Sequence, residues 1–149
     1  MATEFPQLLH AGTSETGEFK QSTGEIREIV DTVGAFANTR GGTILVGVTN
    51  AGEIQGVTVG KGTLEALTNT IHQQTDPKIF PSLTVTDVSG KAVIVLQVDE
   101  SPSKSVLVYG RGVKRVGHSN HVLSSSELTR LFFDSGRMSW DAGPILMPR

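Results

Sequence analysis

Between Ser22 and Thr49 the hydrophobic pattern changes period across a pair of glycines, and few folds accommodate that change in so short a stretch. Ile26, Ile29, Val30, Val33, Phe36 and Ala37 recur at steps of three and four, the spacing that gathers apolar side chains on one helical face. Arg27, Glu28 and Asp31 fall on the opposite, solvent side. Ser22-Thr23-Gly24-Glu25 precedes the run and matches a capping box, with a glutamate three residues after a serine, so a helix is expected to start there. Asn38 and Gly41-Gly42 end it, and Thr43 to Thr49 follows as a β-branched and apolar run. A helix buried along one face therefore turns at once into a strand.

Around this unit the chain mixes hairpins with helices. Met1 to Thr13 has no usable period, and Glu18 to Gln21 is a short first strand candidate. Asn50-Ala51-Gly52 has turn chemistry, so Glu53 to Val57 is expected to run back against Thr43 to Thr49 as a hairpin. Thr63 to Thr75 places Leu64, Leu67 and Ile71 on one helical face, and Asp76-Pro77 stops it. Leu83 to Val88 and Lys91 to Val98 should pair through Ser89-Gly90, the second run being apolar on both faces as a central strand is. Ser105 to Tyr109 and Val113 to Val116 flank Gly110-Arg111-Gly112, a further hairpin. Ser124 to Glu127 repeats the capping box before Leu128, Leu131 and Phe132, which predicts a closing helix. The expected fold class is α+β, a mixed and mostly antiparallel sheet of six or seven short strands with three helices. One domain is expected over residues 1–133. Residues 134–149 hold the only tryptophan, two prolines and no period, and read as a linker or an arm that docks elsewhere.

With 149 residues the chain has the size of one globular domain. No run approaches the roughly 18 to 20 apolar residues of a membrane span, and Met1 to Gly12 lacks the pattern of a secretory signal, so a soluble cytoplasmic protein is expected. The absence of cysteine excludes a disulfide framework, Cys-ligated zinc and a thiol nucleophile, and four scattered histidines leave little for a metal cluster. No cofactor is expected. Gly56 to Gly62 resembles a phosphate-binding Walker loop but has three residues between its glycines where four are needed, and Gly62 where a hydroxyl should hold magnesium. No Gly-x-Ser-x-Gly elbow occurs. ATP hydrolysis and serine-nucleophile chemistry are not expected of this chain.

The net charge of −2 conceals an uneven distribution: residues 1–100 carry six Lys or Arg against twelve acids, while 101–149 carry seven against three. Lys104, Arg111, Lys114, Arg115, His118 and His121 fall in an acid-free stretch between Glu100 and Glu127. Such a ribbon could meet phosphates or could be a solvated face that balances the acidic half. Lys114 and Arg115, as neighbours on a strand, point to opposite faces.

Glu18-Phe19-Lys20, the block Ala35-Phe36-Ala37-Asn38-Thr39-Arg40-Gly41-Gly42, then Ile44 to Val48, Gly52, Ile54 and Gly56-Val57 resemble the Schlafen-type, Alba-like domain described as DNA-binding. Tyr109, Gly112, Arg115, Val116, Gly117, Ser119-Asn120 and Ser126-Glu127-Leu128 continue the match. The resemblance implies a nucleic-acid-binding domain at the N-terminus of a larger RecG-like helicase-related, divergent AAA-type or transcriptional-regulatory protein. DNA or RNA, the downstream domains of that protein and a second copy of the chain are the implied partners. The phosphate-binding candidates are Arg111, Lys114, Arg115, Lys104 and Arg40, with Ser119 and Asn120 as neutral donors. The vertebrate Schlafen branch also implies a metal-dependent endoribonuclease, for which Glu15, Glu18 and Lys20 are the candidates. The nuclease pattern has acids where this chain has Thr13 and Thr49 or Asn50. A protein-interaction or dimerisation module is the third reading.

Overall fold

The computed structural model describes residues 5–134. Its elements run α1 (Phe5–Ala11), β1 (Gly17–Lys20), α2 (Ile26–Ala37), β2 (Gly42–Val46), α3 (Thr63–Gln74) and β3 (Thr75–Asp76), then β4 (Ser82–Val88), β5 (Lys91–Val98), β6 (Leu107–Val108), β7 (Arg111–Val116), β8 (Ser119–Val122) and α4 (Ser125–Asp134). They form two four-stranded sheets of order β1-β2-β5-β4 and β3-β6-β7-β8. Only β1 and β2 pair in parallel, so the α+β class and the mixed, mostly antiparallel pairing agree with expectation.

The α2 helix is the centre of the molecule. Every residue from Ile29 to Ala37 except Asp31 is buried. Val30, Val33 and Phe36 share one apolar cluster with Ile44, Val46, Ile94 and Leu96 of the first sheet and with Val108 and Val113 of the second. Leu67 and Ile71 of α3 close this cluster. A smaller cluster on the far side of the first sheet joins Phe19, Leu45, Val93 and Val95 to Phe5 of α1. Both faces of β5 are thus covered, which accounts for its unbroken apolar run. Each such side chain contributes roughly 1.5–3 kcal/mol on full burial.

The Phe36–Gly42 block makes the helix-to-strand turn. Gly41 lies at φ +75° and donates its N–H to Phe36 O at 2.8 Å, the left-handed closure of a helix end. A Cβ at Gly42 would stand 2.8 Å from both the Phe36 ring and Thr16 O, so backbone and ring leave no room for a side chain. Asn38 is buried and does more than end the helix. Its Nδ2 donates to Val106 O and Val113 O at 2.9 Å each, and its Oδ1 accepts from Val106 N at 2.7 Å. One amide therefore ties β7 and the entry to β6 to the end of α2.

Several expectations require correction. The opening segment contains a helix, α1, held to the first sheet by Phe5. The described residues hold four helices and eight strands, divided between two sheets. The hairpin expected from Thr43 to Val57 shrinks to one bridge, Val48 to Ile54, because the chain bends at Gly47, whose carbonyl takes both Gln55 N and Gly56 N. Val57 then bridges to Ala92 on β5. The β6–β7 turn is tighter than expected: Tyr109 and Gly110 occupy it at φ +50° and +76°, and Arg111 is already on the strand. Beyond the expected Val113 to Val116 strand, Ser119 to Val122 form a further strand, β8, paired with β7. The segment read as a linker lies outside the described residues, apart from Asp134 at the end of α4.

Candidate functional site

Strand alternation on β7 divides its cations between interior and solvent. Arg115 points inward, its side chain 1% exposed. Nε donates to Ser14 O at 3.1 Å, and one terminal nitrogen donates to Ser14 O and Gly17 O, each at 2.8 Å, and to Glu18 Oε1 at 2.7 Å. The other terminal nitrogen donates to Asn120 Oδ1 at 2.8 Å, and the guanidinium stands 5.0 Å from the centre of the Phe36 ring. Asn120 Nδ2 continues to Thr32 Oγ1 at 2.9 Å, and Arg115 N donates to Thr39 Oγ1 at 3.1 Å. Arg115 thereby links the β7–β8 hairpin, the start of β1 and the end of α2.

The other candidates are distributed around this latch. Arg40 pairs with Glu15 at 2.7 Å, Lys104 with Glu100 at 2.5 Å and Arg111 with Asp31 at 2.6 Å. Arg40 and Lys104 sit in loops beside the sheets, while Arg111 opens β7. Arg27 lies 4.3 Å over the Tyr109 ring next to the Arg111–Asp31 pair, and burial pushes the Tyr109 phenol above its ordinary pKa against the pull of that guanidinium. Lys114 differs from all of these: it is exposed, on the strand face opposite Arg115, and makes no ion pair among the described residues. His121 stands directly across from it in the β7–β8 register, and Ser119 stands across from Val116.

Lys114 and His121 line one wall of a cleft of about 740 Å³, and Arg130 and Glu127 of α4 line the other. The second capping box forms as expected: Glu127 N donates to Ser124 Oγ at 3.2 Å and Ser124 N to Glu127 Oε1 at 2.8 Å. These bonds from Ser124 hold the Glu127 carboxyl below its ordinary pKa, with smaller help from Lys114 and His121. Arg130 was not a sequence candidate. Its only signal is a basic residue three positions after the capping glutamate, and no spacing rule ties it to a strand sixteen residues earlier.

Glu15 and Glu18 do not fit a divalent cation. Glu15 holds Arg40, while Glu18 holds Arg115 and, at 3.1 Å, Lys20. Thr13, Thr49 and Asn50 add no carboxylate. Among the described residues no three His, Cys, Asp or Glu side chains gather as a metal cluster, and no helix is long and apolar enough to cross a membrane.

The same architecture occurs in solved structures. The DIP2311 protein from Corynebacterium diphtheriae superposes with a TM-score of 0.67 at 18% identity, over 87% of this chain and 31% of that one. The chain therefore spans about a third of that relative. The N-terminal domain of a RecG-related protein from Nitrosomonas europaea, named for an ATP-dependent DNA helicase, superposes with a TM-score of 0.54 at 21% identity, over 80% and 94%. No curated protein matches the sequence. The profile described as Schlafen, AlbA_2 matches residues 14–124, from the Ser14 carbonyl that receives Arg115 to the Ser124 that caps α4. With most of its length inside that match, and with the Phe36–Gly42 block and Arg115 building its centre, the chain belongs to the Schlafen, AlbA_2 family.

Proposed function

We propose that this chain binds nucleic acid, DNA or RNA, through the outer face of the β7–β8 hairpin, as the N-terminal module of a larger RecG-like helicase-related or regulatory protein. The observation that carries the reading is the exposed Lys114, free of an ion pair among the described residues and flanked by His121 and Arg130 across an open cleft. A cation on a rigid strand can neutralise a phosphate without first surrendering an acid. Ser119 supplies a neutral donor on the same face. Arg40, Lys104 and Arg111 form a second rank, each of which must leave its carboxylate to meet a phosphate. Arg115 and Asn120 shape the hairpin and present nothing to the ligand. The Nitrosomonas europaea domain, similar in fold and RecG-related by name, supports the module reading.

The test is fluorescence anisotropy of labelled duplex DNA, single-stranded DNA and hairpin RNA at several salt concentrations. Binding is expected to weaken with salt, and Lys114→Ala to flatten the log–log slope by roughly 0.7–0.9, one phosphate contact. Absence of binding at low salt, or a slope that Lys114→Ala leaves unchanged, overturns the proposal.

A further inference from the structure

Strand β4 closes one side of the first sheet and pairs only with β5 among the described residues, so its outer backbone edge faces no other strand there. At seven residues it is the longest of the four terminal strands, since β1, β3 and β8 have four, two and four. Open sheet edges are usually guarded by lysine, proline or a bulge. Ser82 to Val88 contains no lysine or proline and runs in unbroken register with β5. Its one charge, Asp87, is held to its own turn by the Gly90 N–H at 2.9 Å. The edge is also apolar where it is exposed. Val85 stands beside the buried Ile94 in the β4–β5 register, yet is 42% exposed. Phe80, just ahead of the strand, is 72% exposed, its ring set against His72 at 4.3 Å between centroids.

We propose that β4 pairs antiparallel with β4 of a second copy of this chain, about a two-fold axis at Val85, joining the two first sheets into one of eight strands. Thr84-Val85-Thr86 reads the same in both directions, so the axis sets Val85 against Val85 and each Thr84 against Thr86 of the other copy, pairs that stabilise neighbouring strands. The same register puts Asp87 across from Leu83. The two Asp87 residues, four positions apart along the strands, are then separated by roughly 13 Å, beyond the screening length of about 8 Å at physiological salt. Phe80 falls beside the Ser89-Gly90 turn of the other copy, and a Cβ on Gly90 would meet nothing within 4 Å, so that turn leaves room for the ring. Pairing about a two-fold covers both edges at once and closes on itself, which stops association at the dimer. The cleft beside Lys114 belongs to the second sheet, so this inference does not rest on nucleic-acid binding.

Sedimentation equilibrium over a wide range of protein concentration gives the dissociation constant of the parent chain and of Val85→Lys, which sets two ammonium groups against each other on the axis. The parent is expected to dimerise, and Val85→Lys to raise the dissociation constant about tenfold or more. Lysine is well tolerated on an edge strand, and far-ultraviolet circular dichroism checks the variant's fold. A milder substitution tests the register independently. The chain has no cysteine, so Val85→Cys adds a single thiol, which the axis places across from its copy at about 5 Å between Cβ atoms. Ser82→Cys puts the thiol on the same edge but six positions from its copy. Under mild oxidation Val85→Cys should form covalent dimers severalfold faster than Ser82→Cys. A parent chain that stays monomeric at every concentration overturns the proposal. So does a dimer that Val85→Lys leaves intact, and so does cross-linking of the two cysteine variants at equal rates, which would place association on another surface.

Discussion

Lys114 and Arg115 are adjacent and equally basic, yet only one of them meets solvent. Alternation along a strand makes opposite directions legible in the sequence. Which residue faces inward was not legible, because the acceptors that decide it, Ser14 O, Gly17 O and the Glu18 carboxylate, come from about a hundred positions earlier. Asn38 hid its role in the same way. Its amide satisfies three backbone groups at Val106 and Val113, which the sequence sets far from it. Arg115→Met keeps volume and removes the charge, leaving Glu18 with Lys20 alone, taking a donor from Asn120 Oδ1, and leaving Ser14 O and Gly17 O with only the N–H each accepts from the other residue. Breaking one side of a buried pair costs about 3–5 kcal/mol, so the urea midpoint should fall sharply with an unchanged slope. A variant as stable as the parent chain would reduce Arg115 to a bystander. Lys114→Ala, at an exposed side chain with no ion pair among the described residues, should leave that midpoint within about 0.5 kcal/mol of the parent.

Among elements, the Ser-x-x-Glu pattern occurs twice and behaves differently each time. Ahead of α4 it closes as a reciprocal cap between Ser124 and Glu127. Ahead of α2 the Ser22 hydroxyl takes Gly24 N, and Glu25 reaches back to Gln21 N. The helix starts only at Ile26. The difference is tertiary, since Lys20 O just upstream accepts from Gly47 N and Val48 N and so fixes the chain leaving β1 to the end of β2. Periodicity found α2, α3, α4 and the β4–β5 pair, because each is specified by residues within its own span. The division into two sheets escaped it, because that follows from α2 being wrapped on both sides. The α4 cap also carries a pH signature. The Glu127 pKa is lowered by its bonds to Ser124, so the cap's contribution is fully present above the ordinary carboxylate pKa and is lost as pH falls through the lowered folded value. Amide protection of Leu128 to Leu131, taken relative to the intrinsic exchange rate at each pH, should therefore fall on acidification ahead of the core. Glu127→Gln, which keeps the acceptor and loses the titration, should abolish that early step; an identical acid profile in the variant would place the sensitivity elsewhere.

Across the whole molecule, the charge asymmetry of the sequence turns into a set of cross-linked halves. Glu15 and Asp31 from the acidic half hold Arg40 and Arg111, and Glu100 holds Lys104. Composition showed the basic ribbon but not its neutralisation, because ion pairing depends on contacts between distant segments. The masking has a consequence for binding that can be separated from stability. Each of these three pairs is at least partly exposed and contributes at most about 1 kcal/mol, so removing their acids should leave the fold standing. The variant Glu15→Gln/Asp31→Asn takes two negative charges from a chain of net charge −2 and releases Arg40 and Arg111 from those acids. If those cations reach phosphates, affinity for duplex DNA or hairpin RNA rises at low salt and the log–log salt slope steepens by more than one contact's worth, roughly 0.7–0.9. If Lys114 and its cleft are the whole interface, the affinity gain comes from long-range attraction alone, which vanishes once the Debye length falls below about 8 Å in salt above 0.15 M, and the slope there matches the parent chain. Anisotropy titrations on both sides of that concentration therefore distinguish a compact interface at one hairpin from a broad one whose cations are held in reserve by their own acids.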